Sequence, residues 1–150
     1  MKKEVGKEIE KRPKVGVGVI VYDTKGRVLL GKRKNAHGEG CWAFPGGHLE
    51  FNEEVFDCAR REVREETGIE IDGLQHVAFT NDIFTAEDKH YITLFVSAKH
   101  SAGEVMVLES DKCDHWDWFD PGQFPEPLFL TLKNLKKQGF RYEYDFKSLR

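Results

Sequence analysis

Three glutamates, Glu62, Glu65 and Glu66, follow closely behind a diglycine, Gly46-Gly47, in the stretch GGHLEFNEEVFDCARREVREETGIEI. At roughly 100° per residue on a helix, the three carboxylates fall within about a 100° arc. Phe56, Ala59 and Val63 form an adjoining apolar stripe, so the acids stand beside the buried face, not opposite it. Like charges at i, i+3 and i+4 repel one another and destabilise a bare helix. A hard divalent cation removes that penalty, because oxygen ligands suit magnesium or manganese. Two residues without Cβ just ahead of the helix let a phosphate or metal come close to the backbone. The competing reading is an ion-paired, solvated helix face built with Arg60, Arg61 and Arg64. Arg61 is also placed to pair with Glu53 and tie the preceding loop to the helix.

These groups need elements to hold them. Val15–Tyr22 is β-branched and dense, as a buried strand should be. Asp23–Gly26 is a turn, and Arg27–Arg33 returns as the second arm of a hairpin. Lys34–Gly40 is a polar loop, and Cys41–Phe44 a short apolar strand stopped by Pro45-Gly46-Gly47. Asn52 is expected as the N-cap of the acidic helix, with Glu53 and Glu54 in its first turn, where the helix dipole favours negative charge. The helix should run to about Thr67 and stop at Gly68 in a left-handed conformation. Further strands are expected around Leu74–Phe84, His90–Lys99 and Asp114–Phe119. A last helix is expected from Pro125 to Gln138, with Leu128, Leu132 and Leu135 on one face. Strands on both sides of a central helix, plus a C-terminal helix, predict an α/β layered fold with a mixed sheet.

At 150 residues the chain is long enough for one domain with a real core. We expect residues 1–13 as a flexible tail, 14–140 as the domain and 141–150 as a second tail. A net charge of −3, with no basic stripe, weighs against stable binding to nucleic acid. Cys41, Cys58 and Cys113 are odd in number and lack paired spacing, so a reducing cytoplasm is the easier setting. The N-terminus has no apolar leader core, and no apolar run approaches the roughly 20 residues that span a bilayer. A soluble cytoplasmic protein is expected.

Gly47, Glu53, Arg61-Glu62-Val63, Glu65-Glu66, Gly68 and Ile69 match every fixed position of the Nudix box, G-x5-E-x7-R-E-U-x-E-E-x-G-U. Outside the box, VGVGVIVYDTKGRVLLGKRK, FPGGHLEF, HYITLF and DHWDWF resemble the cytosolic MutT-type nucleoside triphosphate diphosphatases of the Nudix family. The resemblance spans about residues 13–140. It implies a Nudix α/β/α sandwich, with the mixed sheet between helices, and a homodimer. It implies hydrolysis of (deoxy)nucleoside triphosphates to monophosphate and pyrophosphate with Mg²⁺ or Mn²⁺.

By the same resemblance Glu62 and Glu66 are the principal metal ligands, and Glu65 is a third ligand or orients water. Gly46 offers a backbone carbonyl to the metal, while Glu53 and Arg61 support the catalytic carboxylates. A phosphoanhydride is anionic and repels hydroxide, so a cation must neutralise it and a carboxylate must place the water. Arg33 and Lys32 are candidates for a phosphate clamp, Gly47 and His48 for substrate contacts. Glu109 and Asp111 lie where some Nudix enzymes keep an extra loop acid. Thr93, Phe129 and Leu130 are candidates for a base pocket, with core packing the alternative; Trp116 and Trp118 read as packing. The relatives most resembled carry tryptophan-glycine where this chain has Leu130-Thr131, which narrows such a pocket.

Other Nudix substrates carry other marks. ADP-ribose enzymes usually have a proline some 15 residues past the box, and none occurs between Pro45 and Pro121. The extended signature of NADH-cleaving members is absent. Coenzyme A members carry a second arginine before the box, and Lys34–Phe44 holds none. The −3 balance disfavours RNA 5′ ends. A catalytically inactive nucleotide-binding module is the reading from another class, and the complete set of box carboxylates weighs against it.

Overall fold

The structure, a computed structural model, describes residues 11–146. Residues 1–10 of the expected N-terminal tail and residues 147–150 lie outside the described residues.

Among the described residues seven strands form one mixed sheet: β1 (Lys14–Tyr22), β2 (Val28–Arg33), β3 (Trp42–Ala43), β4 (Gly46–His48), β5 (Glu70–Phe84), β6 (Lys89–Ala102) and β7 (Cys113–Phe119). The main path runs β3-β2-β1-β6-β5, with β4 paired to β1 and β7 to β2. β1 and β6 run parallel in unbroken register, Lys14 opposite Tyr91 through Tyr22 opposite Lys99. β1 meets β2 only at Tyr22–Val28, and its other half pairs with β4, Gly16–Gly18 against Gly46–His48. The sheet therefore opens between β1 and β2, beside the diglycine.

Alternation along β1 feeds two cores on opposite faces. Val17, Val19 and Val21 join Cys58, Ala59 and Val63 of α1 (Val55–Thr67). Ile20 and Tyr22 join Leu132 and Leu135 of α2 (Leu130–Lys137). Each such aliphatic side chain, fully buried, contributes about 1.5–3 kcal/mol. One helix on each face of a mixed sheet is the α/β sandwich that the sequence predicts. Phe140, Tyr142 and Tyr144, two of them in the segment expected as a tail, pack against the α2-side core. No helix among the described residues is long and apolar enough to cross a membrane.

Two helix starts differ from expectation. Glu54, not Asn52, is the N-cap of α1, with no side-chain cap, and Asn52 sits in a left-handed turn at φ 67°. Glu53 organises this turn: its backbone N–H donates to the Glu50 carbonyl, and its carboxylate accepts the Glu50 N–H. Glu53 thus lies ahead of the helix, not in its first turn. Helix α1 ends as expected, at Gly68 with φ 80°. Helix α2 begins at Leu130, not Pro125, because Glu126 precedes Pro127 and is held out of the helical region. That segment runs alongside β3 instead, with Trp42 N–H donating to Pro127 and Phe129 N–H to Trp42. The diglycine, expected as a stop, is itself strand β4.

Candidate active site

A cavity of about 640 Å³ opens where the sheet parts, large enough for a small-molecule ligand. Arg33, Gly46, Gly47, His48, Glu62, Glu65, Glu66 and Thr93 all line it, as do Glu109, Asp111 and Phe129. The structure thus brings nearly all the sequence-derived candidates to one place.

Arg61 stands behind the wall and braces it. Its Nε and Nη2 donate to the two oxygens of Glu53, at 2.7 and 2.9 Å, and Nη2 also reaches the His48 carbonyl at 3.2 Å. Its Nη1 donates to Glu62 Oε2 at 3.2 Å and to Glu65 Oε1 at 3.3 Å. Hydrogen bonding from Arg61 pulls the Glu53 carboxyl down to about 2 and, in return, raises the guanidinium. One cation therefore fixes the turn, the diglycine strand and two box carboxylates.

Glu66 points inward, and its Oε1 accepts the Gly46 N–H at 3.1 Å. Desolvation pushes Glu66 up to about 8 against that hydrogen bond, with Glu62 and Glu109 adding repulsion. Desolvation likewise raises Glu62, helped by Glu65 and Glu109 and opposed by Arg61. Glu65 is half exposed at the rim. A Cβ on residue 47 would collide with the Glu62 carboxylate, and one on residue 46 with the Val17 carbonyl. The diglycine is required by this close approach. Among the described residues no three carboxylate, imidazole or thiol groups already surround one point. The donor chemistry still fits a hard divalent cation, since two crowded, desolvated carboxylates carry repulsion that such an ion cancels.

The opposite end of the cavity is aromatic. His37, Tyr91 and Phe129 line it, with Phe84 behind them 4.6 Å from His37 and 5.3 Å from Phe129 between ring centroids. The Arg33 guanidinium lies 4.2 Å over the Phe129 ring, and its Nε donates to the His37 carbonyl. Tyr91 joins the two ends, stacking on His48 and hydrogen-bonding its Nε2 at 3.0 Å. Burial first, then Arg33 and Lys89, lower His37; burial and the two lysines Lys14 and Lys89 lower His48. His37 Nδ1 and Trp116 Nε1, both in lining residues, are buried without a partner.

Several candidates fall elsewhere. Lys32 and Leu130 do not line the cavity; Thr131 does, one residue on. Trp116 and Trp118 both pack against the α1-side core, as expected; Trp116 also lines the cavity, lying across Gly31, and Trp118 stacks on His100. Sequence reasoning also passed over His37, Lys89, Tyr91 and Lys112. Tyr91 carried a readable signal, because it lies two residues before Thr93 on one strand and so shares its face.

A family profile described as NUDIX domain matches residues 12–139. An ADP-ribose pyrophosphatase of Methanocaldococcus jannaschii is 32% identical over 136 residues, 87% of this chain and 69% of its own length. An oxidized purine nucleoside triphosphate hydrolase of Danio rerio is 34% identical, covering 83% and 82%. NAD-capped RNA hydrolases also match; the chain spans only 39% of the length of the one from Pseudomonas aeruginosa, at 30% identity. The solved MutT NUDIX hydrolase of Burkholderia pseudomallei superposes with a TM-score of 0.78 at 33% identity, over 84% of this chain and 98% of that one. Matching motif, fold and relatives together, the chain belongs to the Nudix hydrolase family.

Proposed function

We propose that this Nudix hydrolase is a pyrophosphohydrolase of free (deoxy)nucleoside triphosphates, releasing monophosphate and pyrophosphate with Mg²⁺ or Mn²⁺ as its metal. The observation that carries the reading is the two-ended cavity: a carboxylate cluster beside a diglycine at one end, an aromatic recess at the other, and Arg33 between. A nucleotide has the same division into anionic anhydride, linking sugar and flat base. The Danio rerio relative, which aligns over most of its length, supports the same substrate class. So does the resemblance to the human enzyme that hydrolyses thiopurine deoxynucleoside triphosphates.

Glu62 and Glu66 would hold the divalent ion, with the Gly46 backbone beside them. The ion, when bound, neutralises phosphate charge and lowers the pKa of water. Glu65, half exposed at the rim, takes the proton of the attacking water at a carboxylate oxygen. Arg61 positions Glu62 and Glu65 and takes no part in bond making. Arg33 meets the phosphate chain, and His48, steadied by Tyr91, contacts the substrate. Thr93 and Phe129 line the base recess. We infer a homodimer from the family resemblance alone, and a cytoplasmic setting from the three free cysteines Cys41, Cys58 and Cys113.

A second reading has support in the Methanocaldococcus jannaschii relative: a nucleoside diphosphate joined to another group, as in ADP-ribose. One assay separates the two. Triphosphates, oxidised ones among them, and ADP-ribose are incubated with magnesium; phosphate is read with and without added inorganic pyrophosphatase, and AMP from ADP-ribose is read by chromatography. Signal from triphosphates that needs the pyrophosphatase is the expected result. Silence on triphosphates with AMP formed from ADP-ribose overturns the proposal in favour of the second reading.

A further inference from the structure

Behind the cavity floor lies a carboxylate that the hydrolytic chemistry does not use. Asp82, on β5, is fully buried. Its Oδ2 accepts the hydroxyl protons of Thr80 at 2.9 Å and Thr93 at 2.6 Å. Its Oδ1 accepts Asn134 Nδ2, from α2, at 2.8 Å. A buried carboxylate needs several donors, and these three neutral groups supply them.

Thr93 is the member that reaches the cavity. It faces Gly16 across the parallel ladder, and its Oγ1 would lie 3.8 Å from a Cβ there, so the missing side chain leaves the hydroxyl approachable. A threonine hydroxyl has one proton and two lone pairs. Asp82 takes a donor at each of these contacts and its Oδ2 lies 2.6 Å from Thr93 Oγ1, so the Thr93 proton is committed to it and lone pairs alone remain for a ligand.

We propose that Asp82 is a positioning residue that, through Thr93, makes the cavity floor a hydrogen-bond acceptor and so selects nucleobases presenting an N–H donor at that depth. The inference rests on the nucleotide reading of the cavity, and extends it from substrate class to base selection.

Asn134 makes the test sharp. In Asp82→Asn the Asn134 donor still needs an oxygen, which orients the new amide with its NH₂ toward Thr80 and Thr93. Both hydroxyls then accept, and the Thr93 proton is released toward the cavity. Two ligand pairs report this change: AMP against purine riboside 5′-monophosphate, and GMP against IMP, each pair differing by one amino group. Calorimetry with magnesium present should give the wild type about a ten-fold preference for the amino-bearing member of at least one pair. Asp82→Asn should abolish or reverse that preference, and Thr93→Val should bring it to about one. Thermal melts establish that each variant folds; if Asp82→Asn does not, Thr93→Val decides alone.

Folded variants that keep the wild-type ratio overturn the inference, as does a wild type with no preference in either pair or no binding. Triphosphate turnover is read separately. A wild type that shows the preference yet hydrolyses no triphosphate sinks the proposed function and leaves base selection standing. Turnover without any preference does the reverse.

Discussion

Most of the carboxylate end of the cavity comes from one short run of chain, Gly46 to Glu66, with Glu109 joining from the loop before β7, and a single guanidinium braces Glu53, Glu62 and Glu65. The aromatic end draws His37 from the β2–β3 loop, Phe84 from β5, Tyr91 from β6 and Phe129 from the start of α2. The first is a local device, in which strand, turn and helix face are fixed relative to one another by Arg61 and Glu53. The second exists only when three separate segments, the β2–β3 loop, the β5–β6 hairpin and the start of α2, have packed. On the proposed function, chemistry that tolerates little misplacement would be housed in the local device, and discrimination among ligands in the dispersed one. The two should separate under mutation, rate falling at one end and selectivity at the other.

The largest effect is expected from Glu66→Gln. Removing one charge of the proposed metal-binding pair should forfeit several kcal/mol of transition-state stabilisation, so turnover should fall on the order of 10³-fold or more. The melting temperature and the ranking of nucleotide monophosphates by calorimetry should stay close to wild type. Normal turnover would remove Glu66 from the metal site, and a changed ranking would break the division between the ends. Gly47→Ala comes next. The added methyl meets the Glu62 carboxylate, which must move by about an ångström, and displacement of that size costs on the order of 10²-fold in rate. Steady-state kinetics that show kcat unchanged would mean Glu62 need not stay where Arg61 holds it.

The same contrast explains what could be read from the chain alone. The carboxylate end was legible because its parts lie close together and obey helical spacing; Glu62, Glu65, Glu66 and the Arg61–Glu53 pair all stand at the cavity or brace it. The layered fold was legible from the dense strand Val15–Tyr22 and the apolar stripes of two helices. Helix starts were not, because the Glu50–Glu53 turn and the pairing of Pro127 and Phe129 with Trp42 draw those residues out of the helices, and neither follows from local propensity. Among the other lining residues, His37 lies in a polar loop and Trp116 in an alternating strand, and neither position distinguishes a cavity wall from ordinary packing. Asp82 read as one more strand residue, since its partners Thr93 and Asn134 are 11 and 52 positions away.

Phe129→Ala tests the dispersed end. Loss of a stacking ring costs about 1–3 kcal/mol per base, so KM should rise roughly ten-fold, with kcat within a few-fold of wild type. Preferences among bases should flatten as well. A fall in kcat at unchanged KM would place Phe129 with the reacting groups and collapse the comparison.

The smallest effect is the most specific. Glu53 touches no substrate in this reading, yet its carboxyl is held down at about 2 from an ordinary 4.5 by Arg61. A carboxyl depressed in the folded state binds its proton less readily there than in the unfolded chain. Its stabilisation is therefore whole above pH 4.5 and is lost as pH falls toward 2. Other groups titrate too, so the informative quantity is the difference in unfolding free energy between wild type and Glu53→Gln. Denaturant melts at a series of pH values should show wild type ahead at pH 6, with the gap closing between 4.5 and 2. Arg61 in the variant keeps Glu62 and Glu65 but loses one of its two shortest bonds, because a glutamine amide has a single accepting oxygen, so turnover should fall modestly while base ranking holds. A gap that stays constant with pH would mean the Arg61–Glu53 pair does not stabilise the carboxylate end through its charge, and that the turn around Glu50 holds it instead.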